Sequence, residues 1–598
     1  MNAQQFDFLT DSELTLLERY QTCKAMARGY ADNYKTDNDR LVQARSFCAQ
    51  IISAYWDSLA KSQDSSIKIK QIPHSVALAE VSCDALELAK STGELVAIFP
   101  VEDAGYLIGS IYTVMLPSSY RSEIGAYYTP PPLVSRLLDL AENTGVDFSK
   151  GSVIDPACGG GAFLAPVALR MLQKDNGSSP EWILRRLVKR LKGIEIDPFA
   201  AWMSLSLLEA ALMPLCIAAK RRLPENTIII GDALKQVSIG NFDLVIGNPP
   251  YGRVKLDVEM RDRYSRSLYG HANLYGLFTD LAIRLAKPME GIVAYLTPTS
   301  FLGGQYFMAL RSLLTDKATP CAFDFVADRE GVFDDVLQET LLTTFKLGKH
   351  NNFAEVSSLI PKGLNDAKVE KIGHVEIEHG GKAWLLPRSS ADATFLNAIK
   401  LMPNRLSDLG YSVSTGQLVW NRFKSQLRTE PTKRSFPLIW AESITSSGFK
   451  FSADRRNHVP YIDVYSDQSH LVTSKQCVLV QRTTSKEQTR RLLAAVLPQD
   501  FIDKSHGVVV ENHINMVYSQ ELFTYVKPET IAAILNSKVV DRAFRCISGS
   551  VAVSAYELNS IPLPSVDEML RIEKLVLSGS SKEKIEKTIS KFYGVSLQ

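Results

Sequence analysis

Four short apolar runs constrain this chain more than any other feature, because each ends in an acid or an amide. They are Ser152-Val153-Ile154-Asp155, Leu191-Lys192-Gly193-Ile194-Glu195-Ile196-Asp197, Thr227-Ile228-Ile229-Ile230-Gly231-Asp232 and Phe242-Asp243-Leu244-Val245-Ile246-Gly247-Asn248. Runs of this length, bounded by turn formers, read as buried strands. A helical stretch follows the first as far as about Gln173, and another spans Ala200 to Leu215 after the second. Such alternation builds a doubly wound parallel sheet, which binds ligands at the carboxyl ends of its strands.

The fourth run closes in Asn248-Pro249-Pro250-Tyr251. Its prolines each hold φ at about −65° and together remove two backbone donors, so the turn is stiff. Read alone, it is either an ordinary strand-ending turn or a platform that presents an amide and a ring to a ligand. After the first run comes Asp155-Pro156-Ala157-Cys158-Gly159-Gly160-Gly161, whose small residues let backbone pass close under a bound molecule. That order is not the Gly-x-Gly-x-x-Gly fingerprint, and no Gly-Lys-Ser/Thr loop argues for a phosphate cradle. An acid closing the second strand suits ribose hydroxyls. Upstream, a polar loop enters Thr129-Pro130-Pro131-Pro132 and then a helical stretch from Leu133 to Ala141, with Thr129 positioned as its cap.

A chain of 598 residues is too long for one core, so about three domains are expected. Hydrophobic content of 45% and charged content of 22% are those of a globular protein, and no apolar stretch is long enough to span a bilayer. The start, Met1 to Asp7, lacks the basic-then-apolar layout of a signal peptide, and the eight cysteines show no paired metal-ligand spacing. A cytoplasmic protein with reduced thiols and no metal is expected. Residues 1–118 read as helical, with apolar spacing from Leu14 to Trp56 and from Glu80 to Lys90, and Gly93 as a helix stop. This region forms a cap on the strand-rich domain after it, either purely structural or in contact with nucleic-acid backbone. Between Leu401 and Arg491 there are 14 Lys and Arg against seven Asp and Glu, either a solvated basic face or a surface for a polyanion.

The segments resemble, in this order, the gamma-class AdoMet-dependent DNA adenine-N6 methyltransferases of restriction–modification systems. Thr-Pro comes first, then Asp-Pro-Ala-Cys-Gly-Gly-Gly, Glu-Ile-Asp, Gly-Asp-Ala and Asn-Pro-Pro-Tyr, with a large region after them. The likeness covers about residues 120 to 350 closely and the C-terminal third more loosely. It implies an α/β, Rossmann-like methyltransferase sheet in residues 119–350, preceded by the helical region 1–118. A connecting segment, 351–400, and a mixed α/β target-recognition domain, 401–598, would follow.

The resemblance also implies roles. Thr129, Asp155, Ala157, Gly159 and Gly161 would hold the methionine end of S-adenosyl-L-methionine, and Glu195 its ribose. Ile196, Asp232, Ala233 and Phe278 would hold its adenine, although Phe278 by itself reads equally as a core residue of an amphipathic helix. Asn248 and Pro249 would accept the hydrogens of the target amine, with Pro250 completing the turn. Tyr251 and Phe333 would stack on the flipped base, a loop phenylalanine being otherwise an ordinary core residue. Aromatic and basic residues at Trp420, Arg422, Lys424, Arg455, Arg456 and Arg482 would contact double-stranded DNA. A monomer with a separate cognate restriction endonuclease is expected. The same chemistry also serves cytosine-N4, RNA and protein-glutamine methylation; the long basic region favours DNA, and Asn at 248 favours adenine.

Overall fold

The computed structural model describes residues 15–124, 128–175, 179–236, 240–326, 339–348, 353–364, 366–483, 490–519, 524–547 and 552–595. Two compact units emerge, one of 1–298 with 312–371, the other of 299–311 with 372–598.

The first unit begins with four principal helices, α1 (Leu16–Ala31), α2 (Asp37–Ser62), α3 (Cys83–Val96) and α4 (Ala104–Met115). Thr15 and Glu18 form a capping box at the start of α1, satisfying two orphan donors. Gly93, expected to stop a helix, instead lies inside α3. A Cβ there would stand 2.4 Å from the Ile51 carbonyl oxygen of α2, so the glycine permits close helix packing rather than termination. Phe47, Ile51, Tyr55 and Trp56 share one core with Phe199, Trp202 and Met203 of the helix Pro198–Ala211. The helical region is therefore built into the domain that follows it rather than tethered to it.

The sheet behind that helix carries β1 (Val153–Asp155), β2 (Leu191–Glu195), β3 (Ile228–Ile230) and β4 (Leu244–Gly247). Its spatial order runs β3, β2, β1, β4, then Ile292–Pro298, Thr340–Leu347, Ala318–Val326, Phe353–Lys362 and Asp366–Glu376. The first five strands are parallel. Val153, Ile154, Leu244, Val245 and Ile246 are fully buried, and each such side chain contributes about 1.5–3 kcal/mol. That burial on both faces is what holds strands of only three or four residues. Chain order reverses between β1 and β4, which creates a switch-point crevice above their carboxyl ends.

Beyond this half the sheet departs from the expected all-parallel pattern. Thr340–Leu347 runs antiparallel to both of its neighbours. The stretch 351–400, expected as a connector, contains two strands of the sheet and the helix Ser390–Lys400. Apolar period reports burial, not strand direction, so neither feature is visible locally.

The second unit is mixed α/β. Tyr411–Thr415, Ile514–Ser519, Cys477–Gln481 and Ala494–Leu497 form an antiparallel sheet, and five further strands form another. Fully buried Arg311 donates to the carbonyls of Phe301, Gly304, Gly381 and Lys382, which ties 299–311 into this unit. Among the described residues no helix is long and apolar enough to cross a membrane.

Candidate cofactor and catalytic site

The strand ends of the switch point open onto a cavity of about 410 Å³, within the usual size of a small-molecule site. Asp155 ends β1 and is 1% exposed. Its Oδ1 accepts the Ala157 N–H at 3.0 Å. Burial pushes the Asp155 carboxyl up to about 8, helped by the nearby Glu195 charge and opposed by that N–H. Glu195 ends β2, accepting the Gly159 N–H at 2.8 Å on one oxygen and the Asp197 N–H at 2.9 Å on the other. Burial pushes Glu195 up to about 7, with these two N–H donors and that of Ile196 opposing. Past β3, Asp232 accepts the Leu234 N–H at 3.0 Å. Asn248 follows β4 and faces the same cavity.

Two glycines permit close approaches beside the cavity. Gly161 has φ +86°, and a Cβ there would stand 2.8 Å from Ser204 Oγ. A Cβ on Gly247 would stand 2.6 Å from Asp155 Oδ1, so β4 passes β1 only because that position has no side chain.

Thr129 does not cap the helix Pro131–Thr144, whose N-cap is Pro130 without a side-chain hydrogen bond. Prolines at the first helical positions have no N–H for a hydroxyl to cap. The Thr129 Oγ1 is instead buried in the cavity wall, with no hydrogen-bond partner among the described residues. A buried hydroxyl of this kind, with two buried carboxyls raised towards neutrality, suits a ligand that brings positive charge and hydroxyl donors. An AdoMet molecule carries both, so the residues present fit it. Among the described residues no group of three or more His, Cys, Asp or Glu could hold a metal ion.

Residues 216–333 match the Eco57I restriction-modification methylase family model. The type II methyltransferase M.BsuBI of Bacillus subtilis is 23% identical over 480 residues, covering 76% of this chain and 91% of its own. M.PstI of Providencia stuartii is 27% identical over 379 residues, covering 60% and 73%. The chain is thus similar to type II restriction–modification methyltransferases. Its fold is like that of the type IIL restriction–modification enzyme MmeI, solved in complex with DNA, with a TM-score of 0.51 at 14% identity over 99% of this chain and 95% of that one.

Most residues singled out from sequence meet at one place. Thr129, Asp155, Ala157, Gly159, Glu195, Ile196, Asp232, Ala233, Asn248, Pro250 and Phe278 all line the cavity. Ile196 is 55% exposed, whereas Phe278 is 7% exposed, so it is at once a core residue and part of the wall. Gly161, Pro249 and Tyr251 are not on the lining. The Tyr251 hydroxyl donates to the Leu296 carbonyl at 3.3 Å, and its ring meets Tyr275 edge-on at 6.0 Å. Phe333 lies outside the described residues.

Sequence reading missed Tyr112 and Tyr128, which line the cavity from the N-terminal side. The Tyr128 ring lies where a Cβ on Gly109 of α4 would stand only 2.3 Å away. Its position beside Thr129 was a usable signal; Tyr112, deep in a helix, offered none. Val254, Lys255, Leu256, Asp257 and Met260, just after the Asn-Pro-Pro-Tyr turn, line the cavity as well.

In the second unit, Lys424 Nζ lies 5.7 Å from the Trp420 ring, and Trp420 meets Trp440 at 6.2 Å. Trp440 stacks on His458 at 3.8 Å, His458 hydrogen-bonds Glu442 at 2.6 Å, and Arg455 lies 3.8 Å from Glu442. Trp420, Lys424 and Arg455 are thus joined by one chain of contacts, while Arg422 and Arg456 are exposed neighbours in sequence. Arg482 is separate, donating to the Asn512 carbonyl at 3.2 Å.

Proposed function

We propose that the chain is a site-specific DNA methyltransferase that modifies the N6 amine of an adenine flipped out of duplex DNA, within a restriction–modification system. The observation that supports this reading is the opening of Asn248 onto the cavity that also holds Asp155, Glu195 and Asp232. Bound AdoMet supplies the methyl group on a positively charged sulfonium, so the protein needs positioning more than a strong electrophile.

The chain's residues do the rest. Thr129, Asp155, Ala157 and the Gly159–Gly161 turn hold the methionine end, Glu195 holds the ribose hydroxyls, and Ile196, Asp232, Ala233 and Phe278 hold the adenine ring. An exocyclic adenine amine is a poor nucleophile, because its lone pair is delocalised. The Asn248 side-chain carbonyl and the Pro249 backbone carbonyl accept its two hydrogens and localise that lone pair, so no strong base is needed. Pro250 stiffens the turn, and Tyr251 and Phe333 stack on the extruded base. Trp420, Arg422, Lys424, Arg455, Arg456 and Arg482 contact the DNA backbone and grooves. The chain acts as a cytoplasmic monomer, and a separate restriction endonuclease cuts the unmodified sequence.

Asn248→Ala tests the assignment. The variant keeps S-adenosylhomocysteine affinity within about twofold, while methyl transfer to duplex DNA falls at least about a hundredfold. Retained transfer refutes the catalytic role. Modification-sensitive sequencing of DNA exposed to the native protein reads out N6-methyladenine in one sequence context; N4-methylcytosine there overturns the adenine assignment.

A further inference from the structure

The four N-terminal helices share a core with the helix Pro198–Ala211, and polar contacts from α2 and α4 meet there at Asp197, two residues from Glu195 of the cavity wall. Arg45 of α2 donates to Asp197 Oδ1 at 3.0 Å, across 152 residues of sequence. The Asp197 side chain is fully buried and that of Arg45 14% exposed. The Tyr112 hydroxyl of α4 donates to Asp197 Oδ2 at 3.1 Å. Arg45 also donates to the Tyr120 hydroxyl at 3.1 Å and lies 5.8 Å from that ring.

Asp197 faces two ways. Its Oδ1 accepts the Phe199 N–H at 3.0 Å and so caps the helix Pro198–Ala211. Its own N–H donates to Glu195 Oε1 at 2.9 Å, while Gly159 holds Oε2 at 2.8 Å. Each Glu195 oxygen is therefore held by a backbone donor, and the Ile196 N–H bonds the same carboxylate. The Asp197 turn sets the direction of that carboxylate, and Arg45 sets the Asp197 turn.

We infer that Arg45, outside every methyltransferase motif of the chain, is a positioning residue for the cofactor: its ion pair with Asp197 fixes Glu195 against the ribose hydroxyls. This rests on the AdoMet reading of the cavity. Without the guanidinium, Asp197 would be a buried carboxylate opposed only by the Phe199 N–H at the helix start and by the neutral Tyr112 and Tyr120 phenols, two residues from a second buried carboxylate. Such a pair relaxes by protonation or by moving apart, and either outcome loosens the backbone that aims Glu195. The other ionisable groups around this turn are Asp155, Cys158, Tyr112, Tyr120 and Tyr128, so Arg45 is the only cation in that set among the described residues. On this account the N-terminal helices complete the ribose-binding part of the site from behind.

Calorimetric titration of the full-length chain with S-adenosylhomocysteine and with its 2′-deoxyribose analogue tests the inference. Arg45→Met weakens S-adenosylhomocysteine about tenfold, the worth of one charge-assisted contact, and the deoxy analogue by less than about twofold. Arg45→Lys, which restores the charge, recovers most of the loss. Equal weakening of both ligands, or of neither, overturns the inference. A native protein that binds neither ligand refutes the AdoMet reading itself, a different result. Arg45→Gln keeps a hydrogen-bonding side chain of similar reach; it shows the same ligand selectivity and serves if R45M melts early.

Discussion

Asp155→Asn separates a ligand-seeking carboxyl from a structural one. Asp155 is 1% exposed, and burial pushes it from an ordinary 3.8 up to about 8. A carboxyl raised in this way contributes stability that is fully present below about pH 4 and is lost as pH rises through about 8. At about 1.4 kcal/mol per pH unit, that interval amounts to about 6 kcal/mol across the ligand-free protein. The asparagine variant has no charge to bury and lacks this loss, while Glu195 titrates in both proteins and differs between them only by its coupling to Asp155. Urea unfolding of native and variant chains at steps from pH 5 to 8 should therefore show the variant gaining on the native by up to about 1.4 kcal/mol per unit. Binding runs the other way. A cationic ligand returns Asp155 to its anion, so below pH 8 the native chain releases a proton on binding AdoMet, and its affinity rises with pH. Calorimetry in buffers of different ionisation enthalpy counts that proton, and the variant should release fewer. A stability difference that stays flat from pH 5 to 8, together with equal proton release, refutes the picture of a buried acid awaiting a cation.

Two further outcomes are expected. Gly247→Ala puts a methyl 2.6 Å from Asp155 Oδ1, so S-adenosylhomocysteine affinity should fall at least about tenfold; unchanged calorimetric affinity shows that β4 can move aside. Lys424→Ala should weaken duplex binding and lower the slope of log affinity against log salt by about one; an unchanged slope means that the lysine touches no phosphate.

The features legible in the amino-acid order are local ones. An apolar run that ends in a polar residue makes a buried strand with its functional group at the rim, and a stretch of glycines makes a loop that can pass beneath a ligand. Asp155, Glu195, Asp232 and Asn248 could therefore be picked out from the chain alone, because period and steric freedom act over a few residues. Features that depend on distant partners were settled only by the folded molecule. Gly93 serves the approach of α2 instead of ending α3, because what matters there is the Ile51 carbonyl. Thr129 turns into the cavity because the prolines after it leave no donors to cap. The antiparallel course of Thr340–Leu347 and the joining of 299–311 to the second unit are choices among packings of equal apolar period. The cavity's N-terminal wall and the link from Arg45 to Asp197 join groups far apart in the chain. No local rule carries that information, since the free energy of a buried ion pair depends on which surfaces the folded core brings together.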